Sequence, residues 1–278
     1  MRDLWNGIVR HPLKTVNYAF VAFSVMWTFT EGLNYFVPGI NIKGLGALGA
    51  IILISIGYAF RQVWKPCKIE IKVSNSNTII EVVFGDLFQQ DGIRAIAVND
   101  FFDSKLGRPV SDTSLHGIFL KKCFGGHPEP FDKEVNEQLK SIESVECEKI
   151  EGKTKSFPIG SSVLILVNDD RYLAFAFAKT DPKTCKAYSN VTMLWDSLHQ
   201  LWQRARVESG GYPLNLPLVG SGLSGLGLPT HDLLNLIILS AITETKAKPV
   251  TQRIRIVLSK DRFEDLDLRD VKQQWEAK

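Results

Sequence analysis

Two apolar, nearly charge-free runs stand at the start of the chain, and nothing later in it resembles them. From Val16 to Thr30 no residue is charged, and apolar character resumes after Glu31 through Leu33, Tyr35, Phe36 and Val37 until Pro38. The second run, Leu45 to Phe60, is uncharged throughout, and Arg61, whose long stem can snorkel, extends it to Val63 and Trp64. About twenty residues at ~1.5 Å each cover ~30 Å of hydrocarbon. The linker between the runs is long enough only for a turn. The sequence therefore predicts two antiparallel membrane spans, about 16–37 and 44–64, in an N-terminal region of residues 1–66.

Basic residues set the expected orientation. Arg2, Arg10 and Lys14 precede the first run, and Arg61, Lys65 and Lys68 follow the second, whereas the turn holds only Lys43. The positive-inside rule puts both termini in the cytoplasm. Two other readings of this region stand beside the membrane one. A cleaved signal peptide lacks its small-x-small site, and a buried helical hairpin of a soluble fold would accommodate the Asn, Thr and Glu of the first run. Small residues at four-residue spacing, Gly46 with Ala50 and Ser55 with Ala59, would allow close helix approach. Glu31 either sits among outer headgroups or lines an assembly of copies, since an ionisable group in a span must face protein or water.

Beyond Cys67 the pattern changes to short β-rich runs alternating with amphipathic segments, one domain over residues 67–278. Strands are expected at 68–73, 78–84, 93–98, 162–167, 172–178, 214–219 and 253–258, with helices at 114–123, 131–142, 191–208, 230–244 and 261–275. Asn168-Asp169-Asp170-Arg171 is a tight-hairpin signal. Interleaving of this kind implies a mixed α/β sheet covered on both faces. A net charge of +3, with Lys and Arg scattered among acids, argues against a nucleic-acid partner. Four cysteines without a CxxC pair and five histidines without HExxH give no metal site.

The most chemical segment is Leu218-Val219-Gly220-Ser221-Gly222-Leu223-Ser224-Gly225-Leu226-Gly227, a glycine loop that leaves a strand and enters a helix through Pro229. Successive backbone N–H groups there can point into one concavity and hold a phosphate or diphosphate; the bland alternative is a flexible turn. The same residues satisfy G-x-G-x-x-G, but no acidic residue ends the next strand ~20 positions on, which leaves a dinucleotide dehydrogenase as a minor alternative. Upstream, Val83-Phe84-Gly85-Asp86-Leu87 ends one strand and Ala95-Ile96-Ala97-Val98-Asn99-Asp100 ends another.

These two strand ends and the Gly220 loop resemble the macro-domain pattern in order and spacing, over roughly Lys68 to Trp275. The implied fold is a two-helix transmembrane hairpin followed by a macro-domain-like mixed sheet with helices on both faces. By that resemblance Asp86 would accept a hydrogen bond from an adenine amine, with the Leu87 backbone nearby. Asn99 would lie by the distal ribose, and Asp100 would also belong to the ligand-binding set. Gly220, Ser221, Gly222, Leu223, Ser224 and Gly225 would hold the diphosphate, Ser114 and His116 would belong to the facing loop, and Phe263 would approach the adenine. Phe102 stands where hydrolytic macro domains have a second asparagine, and the usual glycines of the first loop are missing. Binding without turnover is the expectation, with no catalytic residue and no cofactor. The enzyme alternative is a tethered ADP-ribosyl hydrolase using Asn99, Asp100 or His116, and a third reading is a tethered reader of ADP-ribosylated proteins.

A two-span hairpin ahead of a divergent macro domain is similar to the membrane effectors of Thoeris antiphage systems, of the ThsA type. That resemblance implies a multi-pass protein of the bacterial inner membrane. Its ligand would be an NAD-derived signal made by a TIR-domain enzyme, a histidine conjugate of ADP-ribose. Ligand binding would drive homo-oligomerisation and disruption of the membrane lipid, an abortive infection that halts phage spread.

Overall fold

Prolines bracket the long helix Pro12–Phe36 of the computed structural model: Pro12 opens it, where a missing N–H is no loss, and Pro38 stops it by holding Val37 extended. The structure describes residues 5, 8–9, 11–222 and 225–276. Arg2, Arg10, Leu223 and Ser224, which carried expectations above, lie outside the described residues. The chain divides into two units, one comprising Met1–Cys67 with Asp267–Arg269, the other Lys68–Leu266 with Asp270–Lys278.

In the first unit α1 (Pro12–Phe36) and α2 (Leu45–Val63) pack on each other. Gly44, at φ +90°, starts α2 from a backbone conformation that side chains avoid. The buried residues of α2 are Ile51, Ser55, Ala59 and Val63, four apart and so on one face. The small pair Ser55 and Ala59 thus lies on the packed side, while Gly46 and Ala50 are exposed. Several polar groups of α1 are satisfied locally. Thr28 and Thr30 donate to the carbonyls of Ser24 and Met26 at 2.9 and 2.8 Å. Asn34 grips the linker twice, its Nδ2 donating to Ile42 O at 3.0 Å and its Oδ1 accepting from Ile42 N at 2.8 Å. Among the described residues one helix, Leu45–Val63, is long and apolar enough to cross a membrane. The length of α1 is ample, but Asn17, Ser24, Thr28, Thr30, Glu31 and Asn34 dilute its apolarity.

The second unit is built on β1 (Lys68–Lys72), β2 (Ile79–Phe84), β3 (Ile93–Asn99), a small β4–β5 ladder (Val145–Glu146 with Lys155–Ser156), β6 (Ser162–Val167), β7 (Asp170–Thr180), β8 (Ala187–Tyr188), β9 (Leu214–Pro217) and β10 (Arg253–Leu258). The main sheet runs β1-β2-β10-β9-β3-β7-β6, with β8 added beside β7. β2, β10, β9, β3 and β7 are mutually parallel, and β1 and β6 flank them antiparallel. The expected hairpin forms between β6 and β7: Asn168 and Asp169 both have positive φ, the geometry of a two-residue primed turn, and Val167 pairs with Asp170.

Period-two alternation sends side chains of the central strands to opposite layers. Ile96, Val98, Tyr172, Ala174 and Ala176 join one core with Phe119 and Leu120 of α3 (Leu115–Phe124) and Phe131 and Val135 of α4 (Glu129–Gln138). Beside the other layer lie α5 (Val191–Glu208) and α6 (Thr230–Ala247), tied by the Trp202 indole N–H to Ser240 Oγ at 2.8 Å. The last helix, α7 (Leu268–Glu276), follows a one-turn helix at Lys260–Phe263 in place of the single helix expected from 261. Trp275 there donates to Asn235 Oδ1 at 2.9 Å.

A buried charge pair pins the end of β3. Lys149 Nζ meets Asp103 Oδ2 with both side chains wholly buried, and Asp103 also accepts from Asn99 Nδ2 at 2.6 Å and Lys153 N at 2.8 Å. The β4–β5 segment is thereby fastened to the loop after β3. Lys149→Met would strand the carboxylate, and thermal unfolding of the full chain should show a loss of about 3–5 kcal/mol. A change under ~1 kcal/mol would mean that the two remaining hydrogen bonds hold Asp103 without a counter-charge.

Candidate functional site

Parallel strands release their following loops at one edge of the sheet, and five of those loops converge on one cleft of about 960 Å³. That is the upper end of the roughly 300–1,000 Å³ range of small-molecule sites. After β2 the wall is Gly85 to Gln89, after β9 it is Pro217 to Gly222, and after β10 it includes Ser259, Lys260 and Arg262. The end of β3, the approach to α3 and the β7–β8 turn complete it.

Asp86 caps the short turn Leu87–Gln89, its Oδ1 accepting from Phe88 N at 2.9 Å. No described donor reaches its other oxygen, and Leu87 is buried beneath. Across the cleft Gly220 adopts φ +88°. A Cβ on Gly225 would lie 2.6 Å from Gly222 O, so the loop closes on itself only with glycine there. Gly222 is different, because a Cβ would meet nothing within 4 Å. The loop is braced from within by Leu226 N donating to Gly220 O at 3.0 Å and Ser221 Oγ donating to Leu218 O at 2.7 Å. The amides of Gly222 and Gly225 donate to no described acceptor. Gly225 lines an adjoining hollow of about 340 Å³ together with Gly220, Ser221 and Gly222.

Asp86, Leu87, Asn99, Ser114, His116, Gly220, Ser221 and Gly222 therefore share one cleft. Leu223 and Ser224 lie outside the described residues. Asp100 is not in the wall. Its carboxylate turns inward to accept from Thr180 N at 3.0 Å and Ser156 Oγ at 2.8 Å, and burial raises its pKa. The amide of Asn99 is also engaged inside the protein: Nδ2 donates to Asp103 and to Thr180 Oγ1 at 3.0 Å, and Oδ1 accepts from Asp103 N at 3.0 Å. Phe102 is fully buried at φ +50° with its ring edge-on to Phe157, so no carboxamide replaces the second asparagine. Phe263 packs on Phe84 with ring centroids 5.0 Å apart and does not reach the wall.

Ser114 caps α3, accepting from Gly117 N at 3.0 Å and donating to Ser111 O at 2.7 Å. His116, in the first turn of α3, is nearly buried and tilted over Phe131, and its Nε2 has no described partner. Burial, assisted by the charge of Lys153, pushes its pKa down to about 3, so the imidazole is neutral.

Sequence reasoning missed the cations of this wall. Lys122, Lys186, Lys260 and Arg262 line the cleft, and Asp86 is the single carboxylate among its lining residues. Only Lys260 and Arg262 carried a readable signal, since they directly follow a parallel strand. Lys122 Nζ sits 4.8 Å from the centre of the Phe88 ring, beside the Asp86 turn. A carboxylate acceptor at one strand tip, with backbone amides and cations at neighbouring ones, suits a molecule that combines an amine donor with a polyanion.

The family model of the Thoeris protein ThsA macro domain matches residues 80–259. Curated proteins yield no match. Among solved structures the chain is similar to the Oceanobacillus iheyensis macrodomain with ADP, at 12% identity and a TM-score of 0.54, covering 76% of this chain and 98% of that one. The same macrodomain with MES bound gives 12% identity and a TM-score of 0.53 over 76% and 98%. The likeness extends to the fold of the second unit.

The depressed pKa of His116 has a consequence for stability. Between pH 6.5 and about 3 the unfolded chain protonates this residue while the folded chain keeps it neutral, so folding weakens as pH falls through that window. Relative to the wild type, His116→Phe should gain stability on acidification, by up to ~1.4 kcal/mol per pH unit. Parallel denaturation curves for the two proteins would show the imidazole to be exposed and ordinary.

Proposed function

Because the chain belongs to the Thoeris ThsA macro-domain family, we propose that it is a sensor-effector whose cleft binds an NAD-derived ADP-ribose-type nucleotide. The observation that carries the reading is the shared cleft, whose described wall brings the Asp86 carboxylate together with Gly220, Ser221, Gly222 and four cations. Asp86 accepts the adenine amine beside the Leu87 backbone, and the glycine loop takes the diphosphate. His116 and the Ser114 turn border the distal ribose, while Asn99 contributes shape and at most its oxygen. The ADP held by the Oceanobacillus macrodomain supports the ligand class.

In this reading the ligand is a histidine conjugate of ADP-ribose, made by a TIR-domain partner. The protein is a multi-pass protein of the bacterial inner membrane with both termini cytoplasmic. The apolarity of α2 supports insertion, and the locally satisfied threonines and Asn34 of α1 remove part of the penalty for a second span. Ligand binding favours an oligomer whose hairpins disrupt the lipid, as in abortive infection. A shift from one to ninety-nine per cent assembled needs a difference of ~5.5 kcal/mol between the ligand's binding to the two states. Turnover is not part of the function, since buried Phe102 stands in place of the second asparagine.

Calorimetry with ADP-ribose tests the pocket. Asp86→Ala should weaken binding by about 10- to 100-fold, the worth of a hydrogen bond to a charged group. Gly222→Leu should abolish it at unchanged melting temperature, because the new side chain enters open space. Wild-type affinity in both variants would falsify the assignment, and mass-spectrometric turnover of the ligand would restore the hydrolase reading.

Dye release from liposomes tests the effector step. Ligand-bound wild-type protein should leak dye, and Glu31→Gln should alter leakage with binding unchanged. Equal leakage returns Glu31 to the headgroup region, and no leakage from the wild type removes the effector role.

A further inference from the structure

We propose that Arg262 is a specificity-determining residue of this cleft, selecting ligands that carry a diphosphate over those that carry one phosphate. The inference rests on the nucleotide reading above and adds to it the charge that the glycine loop lacks. The main cleft and the adjoining hollow have four wall residues in common: Gly220, Ser221, Gly222 and Arg262. The first three bring backbone groups and one hydroxyl, and Ser221 already spends its N–H and Oγ–H on Leu218 O. Among the described residues, the charge at the junction is therefore the guanidinium of Arg262.

That guanidinium is located by its own contacts. Nη1 lies 3.4 Å from Thr230 Oγ1, in the wall of the hollow, and 3.3 Å from Asp265 Oδ2. Both distances are at the long end of hydrogen bonding, and Nε and Nη2 have no described acceptor. Asp265 is half exposed, so its hold on the arginine is weak. The backbone below is better fixed, because Phe263 is buried against Phe84 at the end of the same one-turn helix. A stationary stem with a loosely held, planar five-donor head suits bidentate capture of phosphate oxygens. Neutral amides orient one phosphate; a second adjacent one brings further negative charge into the same small space. Arg262 supplies the compensating cation at the point where the two spaces meet.

The test is calorimetry of the full chain with ADP and AMP, reported as the ratio of their dissociation constants, with ADP-ribose as reference. Arg262→Ala should shrink the preference for ADP over AMP about tenfold and weaken ADP-ribose by a similar factor, the effect of one charge-assisted contact. Arg262→Lys should fall between. Asp265→Asn removes the arginine's acidic neighbour without touching the cleft wall, and should leave the ratio unchanged or raise it. An unchanged ratio in Arg262→Ala overturns the proposal, as does equal loss of ADP and AMP. So does Asp265→Asn reproducing the loss, since the arginine would then act by bracing the turn. Wild-type protein that binds none of the three nucleotides overturns the nucleotide reading itself, a separate outcome.

Discussion

Parallel pairing is the constraint on which the second unit depends. With β2, β10, β9, β3 and β7 running the same way, every strand must be followed by a crossing over a sheet face. All the loops that leave the carboxyl ends consequently gather at a single edge, where ligands of open α/β sheets collect. Asp86, Asn99, Gly220 and Arg262 are distant in sequence and neighbours in space for this reason alone. The helices that return the chain, α3 and α4 on one face and α5 and α6 on the other, bury the central strands on both sides and so stabilise the arrangement that creates the cleft.

Buried charges also tie the strands to one another and to the segments beside them. Glu81, almost inaccessible, takes Arg255 Nε at 2.8 Å and Lys68 Nζ at 2.9 Å, while Arg255 reaches on to Asp91 and Asn215. The Asp103 and Lys149 pair does the same work after β3. Glu81 and Arg255 contribute nothing to the described cleft wall, whereas Asp103 binds Asn99, which does. Isolated ions of this kind would be strongly unfavourable, and their close pairing with further hydrogen bonds is what makes them tolerable.

Whatever depends on neighbours in sequence was readable from sequence. The β6–β7 turn announced itself through Asn168 and Asp169, whose side chains tolerate positive φ. Asp86 and the Gly220 loop were legible because a strand end, a capping carboxylate and clustered glycines are local patterns. The inward hydrogen bonds of Asn99 and Asp100 were not legible, for the opposite reason. Their side chains are committed to Asp103, Ser156 and Thr180, and two of those partners come from segments far along the chain. The cations of the wall arrive from three separate elements, so no window of sequence contains them. In the first unit the apolar character of α2 stood out plainly, whereas the polar residues of α1 acquired a meaning only once Asn34 was seen to grip Ile42.

The contact between α3 and the loop before it carries a consequence of its own. At Gly117 a β-carbon would stand 2.2 Å from the Ser111 carbonyl oxygen, and the loop can lie flat on the helix only because that atom is missing. The residue works as a spacer of zero thickness. Any larger side chain would lift residues 111 to 114 away from the helix and alter the calibre of the opening opposite the glycine loop. In proteins sharing this sheet, residue size at one helical position would then gauge how bulky a guest the opening admits, without a single wall side chain changing.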